Sequence, residues 1–125
     1  ALDSADVRVM AADSEIRMVI INMIQNAFHA IAGQGSIRIA SRADDEQVAM
    51  EFADTGIGIR PDYLPYIFDP FFSHRADGAQ GTGLGLSICR AIVEHWGGTI
   101  RVESRLGEGA RFTVSLPNAD TGIFE

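Results

Sequence analysis

The chain has 125 residues, is 46% hydrophobic and 22% charged, and carries a formal charge of −7 at pH 7. This length builds one ordinary domain around a single core, and the acidic balance argues against a nucleic-acid partner, whose phosphates need a basic footprint. No apolar run reaches the roughly 18 residues of a membrane span and no signal-peptide pattern opens the chain, so a cytoplasmic domain without membrane contact of its own is expected.

In chain order, Val7–Ala11 reads as a short strand, and Asp13 or Ser14 caps a helix that runs to about Ala32, where Gly33 and Gly35 stop it. Ser36–Ser41 and Gln47–Ala53 read as a hairpin turning at Ala43–Glu46. Residues 54–79 are loop-rich, with one short helix opened by Pro61. Leu84–Trp96 reads as a second helix, ended by Gly97 and Gly98. Thr99–Ser104 and Ala110–Leu116 form a second hairpin, closed by Pro117. Cys89, the single cysteine, falls among helix residues and reads as a buried thiol. The expected architecture is α+β: two layers, with helices on one face of a mixed, mostly antiparallel sheet.

Projected at about 100° per residue, the first helix gathers Ile16, Ile20, Met23, Ala27 and Ile31 into one stripe and Glu15, Asn22, Asn26 and His29 into another, roughly opposite. A solvated face would carry Lys, Glu and Arg; asparagine is a poor helix former, so two of them one turn apart point to oxygens aimed at a ligand. Further on, Asp54 closes a strand and is followed by Gly56 and Gly58, and a second glycine cluster, Gly81, Gly83 and Gly85, runs into a helix. Neither cluster is a Walker loop or a dinucleotide-binding fingerprint, because the third glycine of the latter falls on Leu86 in one and on Pro61 in the other.

The four segments together are specific. Asn22-x-x-x-Asn26-Ala27, Asp54-Thr-Gly-Ile-Gly-Ile59, Ile67-Phe-Asp-Pro-Phe-Phe72 and Gly81-Thr-Gly-Leu-Gly-Leu86 follow in this order and resemble the N box, first glycine box, F box and second glycine box of sensor histidine kinases. His95-Trp-Gly-Gly98, Gly107-Glu-Gly109 and Phe112-Thr-Val-Ser-Leu-Pro117 extend the likeness over residues 7–117. The resemblance implies one catalytic and ATP-binding domain over residues 1–117 with a C-terminal tail at 118–125, and the sandwich fold shared with type II topoisomerases, heat-shock chaperone ATPases and mismatch-repair ATPases. It also implies that the family's first strand is missing ahead of Val7.

The same resemblance implies roles. Asn26 would hold Mg2+ through its amide oxygen, and Asn22 would meet the phosphates or a metal-bound water. Asp54 would accept a hydrogen bond from the adenine amino group, with Gly56 and Gly58 passing close to the nucleotide and Ile59 on the base. Phe68, Phe71 and Phe72 would anchor a mobile lid over residues 73–81. Gly81, Thr82, Gly83, Leu84, Gly85 and Leu86 would offer amides at a helix N-terminus to the phosphates of ATP. His29 stands where relatives often carry Lys or Arg, leaving Arg75 to supply that charge; His74 reads as an exposed loop residue and His95 as structural. Ala110 lacks the hydroxyl that relatives often have there.

Relatives that hydrolyse ATP commonly carry Glu one turn before the metal-binding Asn; Asn22 occupies that place here. Slow hydrolysis is therefore expected, with the γ-phosphoryl group kept for a histidine on a separate dimerisation domain of the same kinase and, downstream, for a response regulator. The parent protein could be membrane-anchored. An anti-sigma-type serine kinase and a non-catalytic nucleotide-sensing domain stay open as other readings.

Overall fold

A computed structural model describes residues 13–31, 33–72 and 85–118. Its elements are helix α1 (Asp13–Ala30), strands β1 (Ile37–Ala43) and β2 (Gln47–Asp54), a 3-10 turn (Leu64–Tyr66), helix α2 (Gly85–His95), and strands β3 (Thr99–Arg105) and β4 (Gly109–Pro117). The strands lie in the order β1-β2-β4-β3, and every pairing is antiparallel. The expected mixed sheet is thus purely antiparallel among the described residues, and the strand expected at Val7–Ala11 lies outside them.

Period-two alternation assigns the faces. Val48, Met50 and Phe52 of β2 and Ala110, Phe112, Val114 and Leu116 of β4 point to the helices and are buried. Helix α1 answers with Val19, Met23 and Ala27, and α2 with Cys89 and Val93. Val19 is fully buried, whereas Ile16 and Ile20, expected on the core stripe, are only partly so. The stripe is therefore rotated from the expected one, because α1 packs against α2 as well as against the sheet. The Cys89 thiol lies against the Val19 carbonyl and burial pushes its pKa up to about 12, as befits an inert core thiol.

The ends of the elements follow local chemistry. At the β1–β2 turn, Asp44 Oδ1 accepts from the amides of Glu46 and Gln47, both at 2.8 Å. Gly97 takes a left-handed φ of 81°, and the pair Gly98 N–H to Val93 O and Gly97 N–H to Glu94 O closes α2 in a Schellman motif. The expected short helix at Pro61 is a turn leading into the 3-10 turn, which contains Pro65. The sheet's other face is polar, with Arg42 on Glu51 and Arg111 on Glu103, each at 2.6 Å.

Candidate functional site

The alternation that buries Val48, Met50 and Phe52 places Asp54 next in the inward-facing series, at the end of β2. Its residue surface is 7% exposed. Oδ1 accepts from the Gly56 amide at 2.9 Å and the Ala110 amide at 3.3 Å. Oδ2 is buried with no partner, the single such side-chain polar atom among the described residues. Burial raises the Asp54 pKa, and the two amide hydrogen bonds oppose that rise.

The loop after Asp54 is clamped on both sides. The Ile57 amide donates to the Ala30 carbonyl at the end of α1 (2.9 Å), and the Gly107 amide donates to the Ile57 carbonyl (2.7 Å). A Cβ on Gly56 would collide with the Ala30 carbonyl oxygen. Gly58 has φ 72°, and a Cβ there would collide with the Arg105 carbonyl oxygen. These two glycines are therefore fixed first by backbone packing, whatever a ligand also asks of them. Ile59 is half-buried against the core, and its amide donates to Ser104 Oγ at 2.7 Å.

On α1, Asn22, Asn26 and His29 are all half-buried. The Asn22 amide group donates to the Met18 carbonyl at 2.8 Å. Its oxygen faces the start of α2, 3.1 Å from where a Cβ on Gly85 would lie. The structure thus brings Asn22 of α1 to Gly85, with Gly56 against Ala30 at the other end of the same helix. His29 meets Phe28 edge-on. Leu86 packs against the core. Phe68 packs edge-on against Phe112, and Phe72 against Tyr63. Phe71, by contrast, is 76% exposed with φ 70°. His95 meets Trp96 edge-on. Arg75, Gly81, Thr82, Gly83, Leu84, His74 and the expected lid lie outside the described residues.

Sequence reasoning missed Ala30, Ser104 and the amide of Ala110. The last of these reaches Asp54 through the main-chain N–H, which Ala110 keeps although it lacks the hydroxyl. The amide oxygens of Asn22 and Asn26 are neutral donors one turn apart, and no cluster of three His, Cys, Asp or Glu that could hold a metal occurs among the described residues. Such a donor set fits magnesium, which keeps waters and takes phosphate oxygens as its remaining ligands.

Comparison with known proteins decides the lineage. Residues 11–120 match the family described as histidine kinase-, DNA gyrase B-, and HSP90-like ATPase. The chain belongs to this family. Within it, the relatives are sensor kinases: the chain is 42% identical over 111 residues to sensor histidine kinase ZraS of Salmonella typhimurium, covering 88% of this chain and 23% of that protein. It is 38% identical over 117 residues to sensor protein SrrB of Staphylococcus aureus, covering 90% of this chain and 20% of that protein. The chain therefore spans less than a quarter of either relative. Its fold is similar to the catalytic domain of histidine kinase ThkA, with a TM-score of 0.79 at 38% identity over 93% of this chain and 76% of that one. Full-length ShkA, solved in complex with AMPPNP, matches with a TM-score of 0.80 at 32% identity, over 95% of this chain and 25% of that one. This member of the ATPase family is an ATP-binding catalytic module of the histidine kinase type. Among its described residues no helix is long and apolar enough to cross a membrane.

Proposed function

We propose that this module binds ATP with magnesium and donates the γ-phosphoryl group to a histidine on a separate dimerisation domain of its parent kinase, from which a response regulator is charged. The observation that carries the reading is the buried, partnerless Oδ2 of Asp54. An ionised carboxylate only accepts, so this oxygen asks for a donor from a ligand, and the adenine amino group is one. Guanine presents a carbonyl oxygen at the corresponding place.

The α1 face then runs from the base to the phosphates. Ala30, against which Gly56 packs, and Asn22, which faces Gly85, are eight residues apart, about 12 Å along a helix. That is the scale of an extended nucleoside triphosphate. Asn26 lies between them and would hold the metal through its oxygen, where magnesium would supply positive charge to the phosphates. Amides at the start of α2, with Gly81, Thr82, Gly83 and Leu84 ahead of it, bind the phosphate oxygens, and Arg75 adds a positive charge. Asn22 orients but cannot take a proton from water, so hydrolysis is slow and transfer depends on positioning the acceptor imidazole in line. The complex of ShkA with AMPPNP supports an adenine nucleotide as the ligand.

Calorimetry with ATP and GTP on the parent chain and on Asp54→Ala tests the reading. A hydrogen bond to a charged group contributes about 1.5–3 kcal/mol, so ATP is expected to bind about ten- to a hundredfold tighter than GTP, and Asp54→Ala to lose that preference. An unchanged ratio, with only a lower melting temperature, would remove Asp54 from the base site.

A further inference from the structure

We infer that Ser104 is a positioning residue for base recognition, the centre of a hydrogen-bond relay that runs from the first glycine loop to the Asp54 carboxylate. The inference rests on the proposed role of Asp54. Ser104 occupies the inward-facing series of β3 after Ile100 and Val102, where a third apolar residue would continue the pattern. Its hydroxyl is used in both directions: Oγ accepts from the Ile59 amide at 2.7 Å and donates to the Gly109 carbonyl oxygen at 3.1 Å.

The Gly109 carbonyl and the Ala110 N–H belong to one peptide group, and that N–H donates to Asp54 Oδ1 at 3.3 Å. The links therefore point one way: Ile59 N–H to Ser104 Oγ–H, to the Gly109–Ala110 peptide, to Asp54 Oδ1. Each donor polarises the next, and the chain ends on the carboxylate whose other oxygen lacks a partner. The relay also fixes where the peptide sits. Gly109 has φ 109°, and a Cβ on it would collide with the Asp54 carbonyl oxygen, so β4 begins in tight contact with the end of β2. At 3.3 Å the Ala110 link is the longest of the three and the most sensitive to a shift of that peptide. Without the Ser104 hydroxyl, the half-buried Ile59 amide loses its acceptor and the peptide loses its tether. Ile59, Ala110 and Asp54 then no longer hold one fixed arrangement around the base.

The test measures ATP and GTP affinities by calorimetry for the 125-residue chain and for Ser104→Ala, Ser104→Thr and Asp54→Ala, beside thermal unfolding. Ser104→Ala is expected to weaken ATP about three- to tenfold, the weight of one neutral hydrogen bond, with a smaller loss for GTP, so that the ratio narrows. Ser104→Thr keeps the hydroxyl and is expected to restore the ratio. A Ser104→Ala chain that melts lower but keeps the parent's ATP-to-GTP ratio, while Asp54→Ala loses it, would overturn the role of Ser104 and leave that of Asp54 intact. A ratio unchanged by Asp54→Ala would overturn both. Should Ser104→Ala fail to fold, hydrogen exchange of the unmodified chain decides: slow exchange of the Ile59 and Ala110 amides without nucleotide is expected, and fast exchange of either overturns the relay.

Discussion

Asp54 holds a charge where burial disfavours it, and its raised pKa carries a sign that can be tested. A carboxylate whose folded pKa is raised contributes stability below its unfolded pKa of about 3.9 and loses that contribution as pH rises through the folded value. At neutral pH the ionised group therefore burdens the nucleotide-free fold. Asp54→Asn removes the charge and is expected to raise the melting temperature near pH 7, with the gain shrinking in acid; a gain that grew as pH fell would contradict the burial. The same substitution replaces the Oδ2 acceptor by an amide donor, so it is expected to weaken ATP and favour GTP. In the parent chain, ATP affinity is expected to fall as pH drops through the raised pKa. Asn26 makes a separate claim: Asn26→Ala should abolish most of the magnesium dependence of ATP affinity and leave the fold intact, and equal magnesium dependence in the two proteins, by calorimetry, would sink the assignment.

Among the elements, Gly56 and Gly58 separate from Gly85 by what a Cβ would meet. Gly56 and Gly58 press on the carbonyls of Ala30 and Arg105, and Gly58 adds a left-handed φ. Among the described residues, Gly85 faces only the Asn22 side chain, at a distance that a small rotation relieves. Gly58→Ala is accordingly expected to lower stability by several kcal/mol, on the order of a strained backbone plus a core clash, whether or not nucleotide is present. Gly85→Ala is expected to leave the melting temperature nearly unchanged but to weaken ATP; the reverse pattern in thermal unfolding and titration would refute the division. Sequence distance explains what was legible here. Hairpin partners, the Asp54 strand end and both helices announce themselves within a few residues, through alternation and glycine stops. The Val19 burial depends on how α1 meets α2, and the links from Ile59 to Ser104 and from Ala110 to Asp54 join residues 45 and 56 apart. No local pattern reports such contacts, so Gly56 and Gly58 read as ligand-facing when their first constraints are the end of α1 and the β3–β4 turn.

At the scale of the molecule, one face of the sheet carries both helices and the core, while the other presents the Arg42–Glu51 and Arg111–Glu103 pairs. Exposed pairs of this kind contribute about 0.2–1 kcal/mol each; their effect is to keep the uncovered face polar. The described residues argued to touch nucleotide lie on the helical side, along α1, at the end of β2 and at the start of α2. None of His29, His74 and His95 stands in a segment that resembles a phosphoacceptor, so the proposed transfer calls for a second domain. The central claim is tested most directly by incubating this chain with γ-labelled ATP, magnesium and a dimeric, histidine-bearing helical hairpin from the parent kinase. Acid-labile, base-stable label on the hairpin, none on this chain, and slow phosphate release without the hairpin is the expected result. Rapid release by the chain without the hairpin, or acid-stable label on a serine, would contradict it.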